Sequence, residues 1–563
     1  MNRKEILSQL KKKPQVSALI VGAGINGIGA FRDLALNGVD VLLIDRADFC
    51  SGASSASSHM AHGGIRYLEN GEFRLVREAV GERNRLLQNA AHIVKPLPTT
   101  IPIFKYFSGV FNAPLKFLGW LDTPSERGSL IIKLGLMMYD AYTGKQRIVP
   151  KHKFLSRRAS LQKWRQLNPQ IKNTAVYYDG LITNPERLAL DIILDAEAEN
   201  PSARAVNYLS LISGEKDTVI LRDELTDERY EVKPKLLINA SGAWIDFANH
   251  SLGLSTKFIG GTKGSHLVLN HPELRDAIGD HEFFFENKDG RIVLICPLFD
   301  RVLIGTSDLK IENPDEAFCT DEEVNYFLEM IGRVFPNIKV TYEHIVFRYS
   351  GVRPLQSGNA KSTGQYSRDH SIQVLSGDWT NLQFPVYSLV GGKWTTFRAF
   401  AEEAADKSLN FLGISRKKDT KSLQIGGGRG YPQTQEEKTK LINGLAAWTG
   451  LSKERLEILF ERYGTRAEAF ADFIKNAPDE PLKFLPAYSK REIIYIIQHE
   501  KVEHLDDLIL RRSMLAMLGK LSTHSLLELA EILGETLHWN ETQKNDEAER
   551  TLRLLENRHQ VRL

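Results

Sequence analysis

The 563-residue chain lacks the features of a disulfide scaffold, a metal centre, a membrane span or a nucleic-acid coat. Its three cysteines, Cys50, Cys296 and Cys319, have no paired spacing. That excludes a disulfide framework, gives no sign of a metal site and fits a reducing compartment. No apolar run reaches the ~20 residues a spanning helix needs. The start, MNRKEILSQLKKKP, has neither an apolar secretory core nor an Arg- and Ser-rich transit character. Any membrane contact is therefore expected to be peripheral, and the basic start reads as a solvated tail. Neither sign of charge dominates: 73 Lys and Arg against 70 Asp and Glu leave a formal charge of +3, which argues against nucleic acid as a partner. There is no internal repeat and no low-complexity segment.

What the chain has is a glycine cradle. Val16 to Gly29 reads VSALIVGAGINGIG, an apolar run suited to a buried parallel strand that breaks into Gly22, Gly24 and Gly27. Helical spacing follows, and then a second run, VLLID, ends on Asp45. The glycines permit a tight turn and close backbone approach to a pyrophosphate, and the helix N-terminus points free N–H groups at that anion. An acid at the end of the second strand can take both hydroxyls of an adenosine ribose. Strand, helix, strand and acid in this order point to dinucleotide binding, without distinguishing flavin from nicotinamide.

Strand-like runs alternate with helical stretches up to about residue 410, as in an α/β protein. Residues 265–270, 291–299 and 301–308, separated by turns, suggest an antiparallel substrate-facing sheet apart from the parallel one, to which 235–241 belongs. After the Gly-rich stretch 425–433, read as a linker, segments 439–450, 453–464, 491–500, 505–519 and 524–537 carry helical periods. This predicts a discontinuous nucleotide-binding domain (14–100, 181–260 and 350–412), a substrate domain (101–180 and 261–349) and an all-helical C-terminal domain (425–563). Residues 104–121, FKYFSGVFNAPLKFLGWL, form an aromatic insert with two lysines and no acid. Such a segment suits a membrane interface, and equally a hydrophobic hairpin packed on the body of the protein.

Two regions complete the cofactor reading. SGASSASSHMAHGGIRYLE, 51–69, offers small hydroxyl residues, then His62, two glycines, Arg66 and Tyr67. VGGKWTT, 390–396, places two glycines and Lys393 before Thr395 and Thr396, which can cap a following helix. A helix N-terminus there would favour the negative charge that develops at the N1–C2=O edge of a reduced flavin. A nicotinamide needs no such donor, so this end of the chain favours flavin. KGSH (263–266), IGTSD (304–308), YSGVRPL (349–355) and Arg368 add cationic groups, and Arg66, Arg353 and Arg368 together would select a dianionic substrate.

The motifs GAGINGIG, SSASS, HGGIRYLE, EFRLVREA, KGSH, IGTSD, YSGVRPL, SRD and GGKWTT, in this order, resemble the FAD-dependent glycerol-3-phosphate dehydrogenases. The resemblance implies a glutathione-reductase/amino-acid-oxidase-like FAD-binding domain, an antiparallel-sheet substrate domain and a helical C-terminal cap, α/β and α+β in class. It also implies non-covalent FAD and electron delivery to membrane quinone. Gly22, Gly24, Gly27, Asp45, Ser54, Ser55, Ser58, Gly392, Lys393 and Thr395 match the family's FAD contacts, and Arg66, Tyr67, His266, Thr306, Arg353 and Arg368 its contacts to glycerol 3-phosphate. His62 or His266 would be the base and Arg353 an electrostatic aid. The family often has lysine where His59 stands and Gly-Gly-Gly where this chain has Gly22-Ala23-Gly24. The expected location is cytoplasmic, peripherally associated with the inner face of the cytoplasmic membrane. A glycerol-3-phosphate oxidase using oxygen, a dehydrogenase of another polyol phosphate, and a non-catalytic flavoprotein scaffold stay open. So does the oligomeric state, a homodimer included.

Overall fold

The computed structural model describes residues 2–65, 72–105, 129–143, 148–287, 291–357, 369–377 and 381–563. Two sheets organise it, with strands numbered in chain order. The first contains β1 (Gln15–Val21), β2 (Val41–Ile44), β7 (Arg204–Val206), β8 (Leu209–Glu215), β9 (Thr218–Asp223), β10 (Arg229–Asn239), β17 (Ser371–Leu375) and β18 (Val386–Val390). The second contains β3 (Met60–Ala61), β4 (Val94–Ile103), β5 (Lys153–Ser156), β6 (Asn173–Ile182), β11 (Thr262–Leu269), β12 (Glu282–Glu286), β13 (Ile292–Leu298), β14 (Arg301–Gly305), β15 (Leu309–Lys310) and β16 (Ile345–Arg353).

In the first sheet β7, β2, β1, β10 and β18 run parallel, with β17 antiparallel at the edge and the β8–β9 hairpin extending from β10. Its central strands are apolar because both faces are covered. Ala18 and Ile20 of β1 pack beneath the helices Ile25–Leu36, Pro185–Glu199 and Phe397–Leu412. Gly29 is what lets two of these helices meet, since a Cβ there would lie 2.9 Å from both Ala401 and the Phe397 ring. Leu19 and Val21 face the other way, onto Ile6, Leu7 and Leu10. The basic start is therefore a docked helix, Arg3–Lys12, not a solvated tail. Asn2 and Glu5 form its capping box, and Arg3 pairs with Asp223 at 2.7 Å. Burying its three aliphatic side chains contributes about 1.5–3 kcal/mol each.

The second sheet is antiparallel except where β4 pairs β12 in parallel. One face packs under the Asp321–Val334 helix through Phe283, Phe285, Val293 and Ile295. The other carries Leu97, Val268, Leu294, Cys296, Leu303, Phe347 and Tyr349, which share one core with the C-terminal helices. The expected boundaries at 100, 180 and 349 fall inside β4, β6 and β16, and all three strands belong wholly to this second sheet.

The C-terminal domain is helical, and it departs from the expected pattern in several places, the short helix Ala467–Lys475 among them. Residues 505–519 are not one helix. Only residues 505–512 are helical and they end as the π-turn Asp507–Arg512: Asp507 Oδ2 accepts from the N–H groups of Glu503 and His504 at the start, and Ser513 turns extended at the end. A polar helix, Glu541–His559, follows, buried only along Glu547, Ala548, Thr551 and Leu555. The Gly-rich stretch is a packed joint rather than a loose linker: Gly426–Gly428 are buried, and Gly426 N–H donates to Asp195 at 2.9 Å.

Candidate functional site

The cofactor cradle forms where β1 ends. Gly22 has φ +102°, and a Cβ on Gly27 would lie 2.0 Å from the Gly22 carbonyl oxygen, so the turn admits only glycine at both places. Gly24 precedes the helix Ile25–Leu36, whose first N–H, on Ile25, donates to Ser54 Oγ at 2.9 Å. Asp45, one residue past β2, accepts from Ala23 N–H at 2.7 Å and Ala47 N–H at 3.0 Å. Burial pushes its carboxyl up to about 6 against these two donors. Helix N-terminus, acid and serine loop match the donors and acceptors that a dinucleotide offers, so the residues fit FAD.

The far end of the chain closes on this turn. Asn26 Nδ2 donates to the Gly391 carbonyl at 3.2 Å, and Trp394 Nε1 donates to the Ser54 carbonyl at 2.8 Å. Gly391 and Gly392, both at positive φ, leave no room for side chains against the Asp369 carbonyl and Asn26. Lys393 lies in irregular backbone just before the turn at residues 394–396. The threonines do not cap the helix as expected. Thr396 precedes Phe397–Leu412 without a side-chain cap, and Thr395 Oγ1 accepts from His62 N–H at 3.0 Å.

The residues expected on the substrate side lie on or next to three neighbouring strands. His266 of β11 lies opposite Gly305 of β14 and Tyr349 of β16. Its ring stacks on Tyr349 at 4.8 Å, and its Nε2 lies 2.8 Å from Ser58 Oγ. Burial first, and Arg353 second, push its pKa well below the ordinary value, so the imidazole is neutral at pH 7. Arg353, the last residue of β16, donates from Nη2 to Thr306 Oγ1 at 2.7 Å and to the Ser307 carbonyl at 3.2 Å. The glycines of the three motifs make these placements feasible. A Cβ on Gly264 would lie 2.2 Å from Arg353 Nη2, one on Gly305 2.2 Å from His266 Cδ2, and one on Gly351 2.5 Å from Ala56 Cβ.

Loop 54–62 is the seam between the halves. Ser54 bonds to the cradle, the Ser57 carbonyl accepts from Tyr349 Oη at 2.9 Å, Ser58 meets His266, and His62 returns to Thr395. Ser58, expected on the cofactor, thus touches the substrate strands, and Ser55 Oγ closes its own turn on the Gly52 carbonyl at 3.0 Å. His59 is turned to the Ile182 carbonyl at 3.0 Å, and burial pushes it down to about 4. Lys263, grouped with the site by its motif, is held in a buried ion pair with Glu323 at 2.8 Å. Arg66, Tyr67, Arg368 and residues 106–121 of the aromatic insert lie outside the described residues.

Reading the sequence missed Asn26, Trp394 and Tyr349, all inside quoted motifs at positions with no distinctive chemistry. It also missed the support beneath His62. Gly63 N–H donates to Tyr139 Oη at 2.9 Å and Asp179 at 3.2 Å, and Arg83 holds Tyr139 at 3.0 Å. Arg83 is fully buried within a helix whose sequence gives an arginine no reason to turn inward.

Comparison with known proteins places the chain in a family. Residues 17–405 match the family described as FAD dependent oxidoreductase, and residues 418–544 match the C-terminal domain of alpha-glycerophosphate oxidase. A glycerol-3-phosphate dehydrogenase of Synechocystis is 31% identical over 93% of this chain and 93% of its own. The aerobic glycerol-3-phosphate dehydrogenase of Bacillus subtilis is 28% identical over 99% of this chain and 97% of its own. The fold superposes on the solved glycerol-3-phosphate dehydrogenase from Bacillus halodurans complexed with FAD, with a TM-score of 0.75 at 21% identity over 98% of this chain and 97% of that one. The chain belongs to the FAD-dependent oxidoreductases, within their glycerol-3-phosphate dehydrogenase family.

Proposed function

We propose that the chain oxidises sn-glycerol 3-phosphate at C2 to dihydroxyacetone phosphate and passes the electrons to a membrane quinone. The observation that carries the first part is the seam: one loop joins the FAD cradle to His266, Thr306 and Arg353, so cofactor and substrate groups are held on the two sides of nine residues. Bound FAD supplies the hydride acceptor at N5 of its ring. Arg353, fixed by Thr306 and Ser307, stays protonated and favours negative charge as it develops on the C2 oxygen. His266 is kept neutral, so its imidazole can accept the hydroxyl proton at Nε2, now paired with Ser58; His62 is the alternative acceptor. By resemblance, Arg66 and Arg368 join Arg353 in the phosphate and hydroxyl contacts.

The quinone reading is supported by the helix Ser129–Thr143, which exposes Leu134 (61%) and Met137 (54%) directly after the aromatic, lysine-bearing insert. Apolar side chains beside lysines suit the inner, anionic face of the cytoplasmic membrane. Among the described residues no helix is long and apolar enough to cross it.

Anaerobic glycerol 3-phosphate should bleach the visible absorbance of the holoenzyme's flavin, whereas glycerol should not and erythritol 4-phosphate should do so more slowly. Absence of bleaching would sink the proposed reaction. Reoxidation by a quinone analogue without peroxide supports the quinone reading. Stoichiometric peroxide in air would replace it with an oxidase.

A further inference from the structure

The C-terminal domain reaches the cofactor cradle through one carboxylate. Asp48 lies three residues beyond Asp45, in the turn that leads from β2 to the serine loop, and its side chain is fully buried. Arg512 grips it at both oxygens, Nη1 to Oδ2 at 2.5 Å and Nη2 to Oδ1 at 2.9 Å, and Arg511 Nε donates to Oδ2 at 2.5 Å. Asn207 Nδ2 donates to Oδ1 at 2.9 Å. Burial alone would raise this carboxyl, but the two guanidinium groups outweigh burial and hold it below its ordinary range.

Both arginines are themselves fixed from the C-terminal side. Arg511 Nη2 donates to Asp506 and Asp507 at 2.7 Å each, and Arg512 Nε donates to the Glu500 carbonyl at 2.9 Å. They end the π-turn Asp507–Arg512, a geometry that is rare and concentrated at functional positions. On the cradle side, Asp45 accepts from Ala23 and Ala47, and Cys50 N–H donates to the Ala23 carbonyl at 2.8 Å. The turn 45–50 and the glycine turn 22–24 are therefore one hydrogen-bonded unit, and whatever fixes Asp48 fixes both.

We propose that Arg511 and Arg512 are positioning residues for the cofactor: through Asp48 they hold the Asp45–Cys50 turn in its FAD-binding shape, so that FAD affinity depends on the docked C-terminal domain. This rests on the FAD reading and adds a dependence which that reading does not require. Linkage makes it reciprocal, because a domain that strengthens FAD binding is itself held more firmly when FAD is bound.

The test compares D48N and R512M with R466M, which breaks ion pairs of the same domain to Asp191 and Asp195 on the Pro185–Glu199 helix and leaves the Asp48 contacts in place. Release of FAD from purified holoenzyme, followed by the rise in flavin fluorescence, should quicken at least tenfold in D48N and R512M. It should stay within twofold of wild type in R466M, even at an equal loss of melting temperature, and R512K should recover part of the retention. Release within twofold of wild type in both cradle variants, or equally fast release from R466M, overturns the proposal. A second measurement needs no variant. FAD added to the wild-type apoprotein should slow hydrogen exchange at residues 506–513 as well as at 45–52, and unchanged exchange at 506–513 overturns the proposal. If the wild-type protein takes up no FAD at all, it is the FAD reading that fails instead.

Discussion

Arg353 reaches its place because Gly264, under its guanidinium on β11, has no side chain, and the guanidinium is then locked by Thr306, Ser307 and an ion pair to Asp308 at 3.3 Å. A charge so held need not reorganise as the C2 oxygen becomes negative. Arg353→Met should lower kcat/KM by roughly 10²–10⁴, the magnitude expected if the guanidinium makes two charge-assisted hydrogen bonds of about 1.5–3 kcal/mol each to the reacting substrate. FAD content should be unchanged, which absorbance of the purified protein checks. Glu282 presents the opposite case, a buried carboxyl for which no ion pair is seen among the described residues. Its Oε2 accepts from Thr99 Oγ1 at 2.9 Å, and burial pushes its pKa from 4.5 up to about 8. Between these values the unfolded chain has lost the proton and the folded chain keeps it, so this residue makes stability fall as pH rises from 4.5 to 8. Gln keeps the acceptor and does not titrate. E282Q should therefore gain stability over wild type at pH 8 by about 2–4 kcal/mol more than at pH 4.5, each tenfold change in proton affinity being worth about 1.4 kcal/mol. Denaturant unfolding at the two pH values measures this, and a pH-independent difference would refute it.

At the level of elements, the joint at Gly426–Gly428 decides how the C-terminal domain attaches. A Cβ on Gly427 would lie 1.9 Å from the Tyr463 carbonyl oxygen and 2.9 Å from the His92 ring, and neither can give way without moving a helix end. Gly427→Ala should cost about 2–3 kcal/mol. Gly444→Ala, in the exposed interior of the Gln435–Thr449 helix with nothing nearby, should instead stabilise by about 0.4–1 kcal/mol. Thermal melts of the two variants test the contrast. The same contrast explains what the sequence could reveal. The β1 turn was legible because steric rules dictate its glycines and its acid by position, and β11, β13 and β14 of the second sheet because short apolar runs there are separated by turns. The joint was not, since a glycine needed for close packing reads the same as one in a flexible linker. Residues 505–519 have helical apolar spacing, yet the helix stops at Ser513, just past Arg511 and Arg512, which pair with Asp48, a tertiary arrangement that periodicity does not encode. In the Glu541–His559 helix a narrow buried stripe leaves too few apolar residues to register. His266, Thr306 and Arg353 were found through family motifs, and only pairing of β11, β14 and β16 brings them together.

Taken whole, the molecule has no independent C-terminal unit in the thermodynamic sense. Val268, Leu303, Phe347 and Tyr349 of the second sheet share one core with Leu456, Ile496, Leu508 and Leu529 of the helices. Buried or half-buried ion pairs then tie that domain to the first sheet's helices and turn, Arg187 to Glu500 at 2.5 Å, Arg466 to Asp191 at 3.1 Å and Asp48 to Arg512 at 2.5 Å. Losing either side would strand charges whose burial is tolerated only while they are paired, which costs about 3–5 kcal/mol for each broken pair. Partial unfolding of the C-terminal domain alone is thus disfavoured by both apolar exposure and unpaired charge. Calorimetry of the holoenzyme should show one cooperative transition despite the 563 residues and two family matches. Because FAD binds only the folded chain, added FAD should move that single transition upward as a whole, by about 2.7 kcal/mol of stability at a hundredfold excess over Kd. Two resolved transitions, with only one responding to FAD, would show instead that the shared core and the ion pairs do not couple the domains.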